Sequence, residues 1–425
     1  MTSKAAAGLE QPVDRTNIIF ILADDLGYAD LSCYGSPDLK TPNIDKLAHE
    51  GVLLKQCYAN SAVCTPTRVA FLTGNNPRRH GFQWVILPGA KTGLPGSERS
   101  LPALLRKSGY TTGHFGKWHL GYTESCSPRA HGFDHSFGIL SSDADYYTYK
   151  NSVGEPDLFE NGRPVRAEGY LTDLLTDKAI DFLTVNKARP FFIYLAYTAP
   201  HWPFQPPGRA YDAAASETYG PEHGTREDYV RMVERMDNQI GRLLGVLAEH
   251  KLTEHTLVIF TSDNGGERLS DNGPFSRGKY TLWEGGVRVP GVARWPGKIP
   301  AGTESSQGVI TADWTVSILN ASGTLIPQSW KFDGENVLPA LQGKAQSKDR
   351  TFFWRMPNQR AVRSGKWKYI QDGMLPGKFP SDFLFDLEAD PGEHRDLALR
   401  RQDMVQELRA TLVRWEAEVS RQQDQ

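Results

Sequence analysis

The chain has 425 residues, more than one hydrophobic core usually holds, so we expect two domains or subdomains. Its 48 Lys and Arg residues against 50 Asp and Glu residues give a net charge of −2, which argues against a nucleic-acid binder. Hydrophobic residues at 39% and charged residues at 23% are typical of a soluble globular protein, and no apolar run is long enough to span a bilayer.

The N-terminus and the cysteines bear on localisation. Residues 1–10 lack the apolar core of a signal peptide, so the sequence as written indicates a cytoplasmic protein. A periplasmic or secreted protein stays open if a native signal has been replaced by another leader. The cysteines do not make a disulfide framework, because three of the four remain if Cys64 is catalytic.

Buried strands alternate with helices through most of the chain. A helix is expected from Thr41-Pro42, with Thr41 as its cap, to about Glu50, and a long helix from Thr225, where Asp228 is placed for a capping box. Continuous apolar runs predict strands covered on both faces at 17–23, 190–197 and 256–261. The pattern predicts an α/β fold with a large mixed sheet flanked by helices.

After residue 345 the pattern changes to short strands separated by Gly, Pro and Asp. They are expected at 351–354, 359–363, 366–370 and 383–387. An amphipathic helix follows, with Met404, Leu408, Leu412 and Trp415 on one stripe. We therefore expect a first domain over residues 1–345 and a small antiparallel sheet with a packing helix over residues 346–425.

The segment from Cys64 to Gly74 is the most informative motif. Pro66 is tolerated in the first turn of a helix, so Cys64 is expected at or just before a helix N-terminus. Arg68 lies one turn further on and can fold back over position 64. The arrangement indicates an anion pocket with a nucleophile at its floor. The alternative is a buried structural cysteine beside a helix start.

Polar residues follow two of the predicted strands. Asp24 and Asp25 follow the first strand, and Asp263 and Asn264 follow the strand at 256–261. Because ligands bind outside the carboxyl ends of such strands, we expect these side chains to converge. Oxygen ligands alone favour Ca²⁺ or Mg²⁺ over zinc. Each pair taken separately could instead be a polar turn or a helix cap.

Three further segments carry cations or imidazoles. If the segment around Lys117 is extended, Lys117 and His119 point to the same face. His201 stands between two prolines, which fix the backbone around it. Lys279 follows Arg277-Gly278 in a loop. Taken alone, each could be a solvated lysine or an ordinary loop or core histidine.

Together these segments resemble the type I sulfatases of the alkaline-phosphatase-like superfamily. The similarity covers C-x-P-x-R with L-T-G at 64–74, G-K-W-H-x-G at 116–121, P-H-x-P at 200–203 and L-F-D-L-x-x-D-P-x-E at 384–393. The resemblance implies that a formylglycine-generating maturation enzyme oxidises Cys64 to formylglycine, an aldehyde whose hydrate attacks a sulfate ester. It also implies a Ca²⁺ ion held at Asp24, Asp25, Cys64, Asp263 and Asn264.

The resemblance also assigns roles to the remaining residues. Lys117 and Lys279 contact the sulfate, and His201 protonates the leaving alcohol beside them. His119 takes a proton from the formylglycine hydrate. In the mechanism that we expect, Arg68 adds positive charge, and Asp263 is the carboxylate that activates the nucleophile.

The substrate is less well defined than the reaction. The stretch from Asp145 to Tyr149 is similar to a D-Y-Y-x-H segment of N-acetylgalactosamine-4-sulfatases, with Tyr149 in place of the histidine. With Trp84 and Trp202 it either lines a sugar subsite or packs as a loop. We expect a sulfated saccharide. The alternatives are a simple arylsulfatase, a phosphate or phosphonate monoester hydrolase of the same superfamily, and an inactive glycan-binding relative.

Overall fold

The computed structural model describes residues 15–210, 219–373 and 381–421. The strands in these ranges are β1 (Asn17–Ala23), β2 (Val52–Leu54), β3 (Cys57–Tyr58), β4 (Thr111–Gly116), β5 (His135–Gly138), β6 (Phe159–Glu160), β7 (Arg163–Pro164), β8 (Phe191–Ala196), β9 (Thr256–Ser262), β10 (Gly291–Arg294), β11 (Thr303–Ser305), β12 (Val309–Ile310), β13 (Thr351–Arg355), β14 (Gln359–Ser364), β15 (Trp367–Asp372) and β16 (Ser381–Asp386). The α-helices are α1 (Pro42–His49), α2 (Cys64–Thr73), α3 (Leu101–Lys107), α4 (Leu171–Asn186), α5 (Arg226–Glu249), α6 (Glu284–Val287), α7 (Thr311–Ala321), α8 (Leu338–Leu341) and α9 (Gln402–Arg421).

Ten strands form one large mixed sheet in the order β11-β2-β10-β9-β1-β8-β4-β5-β6-β7. Its centre, from β9 to β5, is parallel, and the flanking strands β10 and β6 run antiparallel to it. Ala23 pairs with Ser262, so the carboxyl ends of β1 and β9 lie side by side. Residues that follow these two strands therefore share one edge of the sheet.

Helices cover both faces of this sheet, which explains the continuous apolar run of β1. Phe20 and Leu22 pack on the face that carries α2, α3 and α7. Ile19 and Ile21 pack on the opposite face, against α4 and α5. All four side chains are fully buried, and burial of each contributes roughly 1.5–3 kcal/mol to stability. The predicted α/β fold with a large mixed sheet is confirmed.

The C-terminal strands β13 to β16 form a separate antiparallel sheet of four strands, as predicted. One face contributes Trp354 and Ile370 to a cluster shared with Trp283 of the larger part. The other face contributes Tyr369 to a cluster with Leu408 and Leu412 of α9. The small sheet therefore lies between the large part and the last helix.

The two predicted helix caps differ in outcome. Thr225 and Asp228 form the expected capping box at the start of α5. Thr41 occupies the N-cap position of α1 and Pro42 begins the helix, as expected, but the Thr41 side chain makes no capping hydrogen bond. Asp237 of α5 replaces it and accepts the backbone N–H groups of Asn43 at 3.1 Å and Ile44 at 2.8 Å.

Two sequence-based expectations concern the ends of the chain. The boundary at residue 345 stays a prediction; the first strand of the small sheet begins at Thr351. The expectation about a signal peptide falls on residues 1–10, which lie outside the described residues. None of the helices in the described ranges has both the length and the apolar character needed to cross a membrane.

Candidate active site

The residues that follow β1 and β9 converge as expected. Asp24, Asp25, Asp263 and Asn264 are all buried. The backbone N–H of Asp25 donates to Asp263 Oδ1 at 3.3 Å, and Asn264 Nδ2 donates to Asp25 Oδ1 at 2.6 Å. Asp25 has a φ of 63°, in the left-handed region that few non-glycine residues adopt. The sharp turn after β1 holds both carboxylates at the edge of the sheet.

Cys64 is the first residue of α2, at the position that Pro66 predicted. Its Sγ lies 3.5 Å from Asp24 Oδ1 and 4.0 Å from Asp25 Oδ1. Burial raises the pKa of the thiol well above its usual value, and the nearby Asp263 and Asp24 carboxylates raise it further. The thiol is therefore protonated at neutral pH and is a weak nucleophile as it stands.

Arg68 connects three segments of the site. Its Nε and Nη2 both donate to Asp263 Oδ2, at 3.0 and 2.7 Å, and its Nη1 donates to the Lys117 carbonyl at 2.8 Å. Nη2 also lies 3.7 Å from Asp24 Oδ1. This guanidinium is 1% exposed. It therefore orders the carboxylates as well as adding charge.

The segment around Lys117 departs from the extended geometry that we expected. β4 ends before Lys117, and His119 has a φ of 56°, so the alternation of faces is wrong there. Both side chains nevertheless reach the site. Lys117 Nζ lies 2.6 Å from Asp24 Oδ2, and His119 Nε2 lies 3.0 Å from the Ile86 carbonyl. Because a carbonyl only accepts, His119 carries its proton on Nε2, and its buried Nδ1 has no hydrogen-bond partner among the described residues.

Lys279 and His201 complete the group. Lys279 Nζ lies 2.6 Å from Asp25 Oδ2 and 3.3 Å from His201 Nε2. His201 Nδ1 lies 2.6 Å from the Trp202 carbonyl, which assigns its proton to Nδ1. Burial and then the neighbouring lysines lower the pKa of His201 well below its usual value. The imidazole is therefore neutral, and its Nε2 faces the carboxylates and lysines.

Several side chains of the site could hold a metal ion. Asp24, Asp25, Cys64 and His201 each turn one possible ligand atom inward, and these atoms lie within 4.8 Å of one another. The Asn264 Oδ1 atom is buried and has no hydrogen-bond partner in the part of the chain that the structure describes. An unpartnered amide oxygen beside carboxylates suits a hard cation such as Ca²⁺ or Mg²⁺. The oxygen atoms of Asp24, Asp25 and Asn264 therefore suit the hard cation that we expected. Asp263, which pairs with Arg68, is not among the four clustered ligands, and His201 stands there instead.

The stretch from Asp145 to Tyr149 packs against the segment that carries His201 and Gln205. Tyr146 is 1% exposed, and its hydroxyl donates to the His201 carbonyl at 2.9 Å. Asp145 is fully buried and accepts the side-chain amide of Gln205 at 2.9 Å. Of the two alternatives for this stretch, the contacts of these side chains are those of loop packing.

Three residues that no sequence motif indicated contact the site. The Thr65 hydroxyl donates to the His119 carbonyl at 3.0 Å and accepts the Ile86 N–H at 3.2 Å. Glu267 Oε2 lies 3.4 Å from Lys279 Nζ. Glu267 follows Asn264 closely in sequence, so its position after β9 was a usable signal. Nothing in the sequence indicated that Ile86 would meet His119.

Comparisons with known proteins agree with this geometry. The family model described as "Sulfatase" matches residues 16–324, and the model described as "N-sulphoglucosamine sulphohydrolase, C-terminal" matches residues 275–418. The N-acetylgalactosamine-6-sulfatase of Mus musculus is 36% identical over 394 residues, covering 85% of this chain and 72% of that protein. The chain thus spans most of a curated sulfatase.

Two solved structures extend the comparison. Ps i-CgsB, also solved in complex with k-i-k-neocarrahexaose, superposes with a TM-score of 0.85 at 32% identity over 95% of this chain and 93% of its own. BT4656, solved with D-glucosamine-2-N,6-O-disulfate, has a TM-score of 0.75 at 25% identity over 96% and 98% of the two chains. The fold is therefore the alkaline-phosphatase-like one, and the chain belongs to the sulfatase family, whose members hydrolyse sulfate esters.

Proposed function

We propose that this sulfatase removes sulfate from saccharides and that its nucleophile is a formylglycine made from Cys64. The observation that carries this proposal is the position of Cys64 Sγ, 3.5 Å from Asp24 Oδ1 in a buried cluster of carboxylates and lysines. A protonated thiol has little use as a nucleophile there. A residue that serves as precursor of an aldehyde needs no low pKa.

The charges of the cluster support a divalent cation. Asp24, Asp25 and Asp263 face Lys117, Lys279 and Arg68, so three negative charges meet three positive ones. With Glu267 beside Lys279, the acidic side chains of the cluster outnumber the basic ones by one. A divalent ion gives it two positive charges, which suit an anionic sulfate ester. We assign Ca²⁺ to Asp24, Asp25, Asp263, Asn264 and position 64.

The chain's own residues bind the sulfate and move three protons. When present, the hydrated formylglycine at position 64 supplies the attacking hydroxyl, and Ca²⁺ supplies positive charge at the sulfate oxygens. Lys117 and Lys279 bind these oxygens, and Arg68 holds Asp263 in place to take the proton of the attacking hydroxyl. His201 Nε2, which carries no proton in the resting site, receives one from Lys279 Nζ at 3.3 Å and passes it to the leaving sugar oxygen as the bond between that oxygen and sulfur breaks.

His119 is the base for the third proton. Its Nδ1 is buried and has no hydrogen-bond partner within residues 15–210, 219–373 and 381–421, and its Nε2–H is fixed by the Ile86 carbonyl. The free lone pair of Nδ1 would therefore accept a proton from the second hydroxyl of the hydrated aldehyde if position 64 carries that group.

A saccharide substrate is supported by the relatives. The mouse relative is named for N-acetylgalactosamine, and the two structural relatives were solved with a carrageenan oligosaccharide and a sulfated glucosamine. We infer the same substrate class for this chain. The position of the sulfate on the sugar and the choice between exo and endo action stay open.

The test is the release of sulfate from defined sulfated saccharides by an enzyme co-expressed with a formylglycine-generating enzyme. Phosphate release from the matched phosphate ester is measured beside it. We expect sulfate release to exceed phosphate release. The mass of the peptide that carries Cys64 gives the fraction converted, and activity should rise in proportion to that fraction.

Two controls define failure. Cys64→Ala should abolish activity, whereas Cys57→Ala, which changes another buried cysteine, should keep conversion and activity. Full activity of Cys64→Ala, or full activity of a preparation that holds only the unmodified thiol, contradicts the nucleophile. Faster release of phosphate than of sulfate contradicts the assigned reaction.

A further inference from the structure

We propose that Trp84 and Tyr280 form a stacking surface for the sugar ring that carries the scissile sulfate. We call this pair the aromatic platform. The inference rests on the proposed function and adds to it the residues that select a saccharide. The two rings have centroids 6.0 Å apart and are inclined by 35°.

The exposure of the site residues places its mouth beside this pair. Asp24, Lys117 and His119 are completely buried, whereas the most exposed of the site residues are His201 at 4% and Lys279 at 7%. A substrate must therefore approach past Lys279 and His201. Beside these two residues the rings of Trp84 and Tyr280 are exposed to solvent.

Tyr280 is held at the mouth by its neighbours. It follows Lys279 directly, the Lys279 Nζ lies 5.0 Å from its ring centroid, and its backbone N–H donates to the Ala62 carbonyl at 3.0 Å. Its φ is 70°, a conformation that is a clear outlier for a bulky residue. Despite this constraint the side chain stays 39% exposed. A strained residue that presents a ring to solvent beside a substrate cation indicates a binding role.

The segment that carries Trp84 is anchored to the site by hydrogen bonds of Ile86. Trp84 lies two residues before Ile86. The Ile86 carbonyl accepts a hydrogen bond from His119 Nε2–H, and the Ile86 N–H donates one to the Thr65 hydroxyl. The segment that carries Trp84 is therefore tied to both the catalytic histidine and the helix of Cys64. Trp84 is 40% exposed, which is unusual for such a large apolar side chain in an anchored segment.

The chemistry of the surroundings fits a sugar ring. Aromatic faces pack against the apolar C–H face of a pyranose, while polar groups at the edge bind its hydroxyls. Glu267 supplies a carboxylate acceptor next to Lys279 and is only partly buried. A carboxylate there would repel a second sulfate at the same position, so the hydroxyl that faces Glu267 is expected to be free.

The experiment measures binding of the sugar and of the sulfate separately. Trp84→Ala, Tyr280→Ala, Trp84→Phe and Tyr280→Phe are assayed with one defined sulfated disaccharide and with inorganic sulfate as inhibitor. We expect each alanine variant to raise KM by about threefold to tenfold. The inhibition constant for inorganic sulfate should stay within about twofold of wild type, and the phenylalanine variants should recover most of the lost binding.

Leu87→Ala is the matched control, because Leu87 is 66% exposed in the same segment as Trp84. It should leave KM unchanged. Unchanged KM in both alanine variants overturns the platform, and so does a parallel rise of KM and of the inhibition constant for sulfate, because that would place the defect at Lys279. If the wild-type enzyme releases no sulfate from any ester, the proposed function fails first.

Discussion

Two unpartnered atoms carry the chemistry at the scale of single residues. Asn264 Oδ1 and His119 Nδ1 are both buried and make no hydrogen bond to any described residue, although each belongs to a side chain whose other polar atom is fixed. Leaving a buried acceptor unpaired costs about 1–3 kcal/mol, so natural proteins rarely keep one without a ligand. The oxygen suits a cation, and the ring nitrogen suits a hydroxyl donor.

The role of Asn264 can be tested without measuring activity. Ca²⁺ bound to the folded protein at a hundred times its Kd should stabilise it by about 2.7 kcal/mol. We expect Asn264→Leu to lose more than half of this gain, because both the oxygen ligand and the bond to Asp25 are removed. Thermal unfolding with and without Ca²⁺ measures the shift. Asn320→Leu, on the outer surface of α7, should keep the full shift, and an unchanged shift in Asn264→Leu would remove Asn264 from the metal site.

At the scale of elements, helix α1 depends on a distant side chain. Asp237 is fully buried and accepts the N–H groups of Asn43 and Ile44 at the start of α1. We expect Asp237→Ala to lower the free energy of unfolding by about 2 kcal/mol, because the helix loses its cap and buried donors lose their partner. Asp237→Asn, which keeps one acceptor, should cost less. Urea unfolding checks both, and equal stability of wild type and Asp237→Ala would contradict the capping role.

Local patterns predicted most elements of the fold, and they failed where partners are distant in sequence. The runs at 17–23 and 256–261 are apolar because both faces of the sheet are covered, and the capping box of α5 lies within four residues. Asp237 stands 194 residues from Asn43, so no local pattern could indicate that it caps α1. The segment after Lys117 leaves the strand because contacts with Ile86 and Thr65 outweigh its local preference.

The candidate site shows the same limit. The sequence motifs indicated the residues proposed for catalysis. Those that follow β1 and β9 meet because the carboxyl ends of parallel strands share one edge of the sheet. What each residue contacts was not predictable in the same way. The pairing of Arg68 with Asp263 spans 195 residues, and the partnerless Nδ1 of His119 depends on the orientation of its ring. Such details follow from packing and not from spacing.

At the scale of the whole molecule, a buried ionic cluster joins the small sheet to the loop that carries Lys279. Lys368 of β15 lies 2.8 Å from Glu284 Oε1 and 3.0 Å from Glu393 Oε1, and the Glu284 N–H donates to Glu393 Oε2 at 2.5 Å. Ser276, three residues before Lys279, donates to the Gly392 carbonyl at 2.5 Å. The C-terminal part therefore stabilises the loop that carries Lys279. A substitution in the ionic cluster should affect both the small sheet and this loop.

Glu393 gives this cluster a pH dependence. Burial raises the pKa of its carboxyl to about 7 from an ordinary value of 4.5, and the neighbouring Glu284 adds to the effect. The pKa of Glu284 itself is lowered to about 2 by Lys368 and two arginines against the cost of burial, so it does not titrate near neutrality. Between pH 4.5 and 7 the folded protein therefore holds a proton on Glu393 that the unfolded chain has lost.

The extra proton on Glu393 in the folded protein determines whether stability rises or falls with pH. A group with a raised acidic pKa stabilises the fold below its unfolded pKa and loses that contribution as pH rises through the folded one. We expect Glu393→Gln, which is neutral at every pH, to gain up to about 3 kcal/mol relative to wild type between pH 5 and pH 8. Urea unfolding of both proteins across this range gives the difference, and Glu388→Gln, an exposed neighbour, should show none. A constant difference between Glu393→Gln and wild type would mean that Glu393 is ionised throughout and that Lys368 neutralises two carboxylates at once.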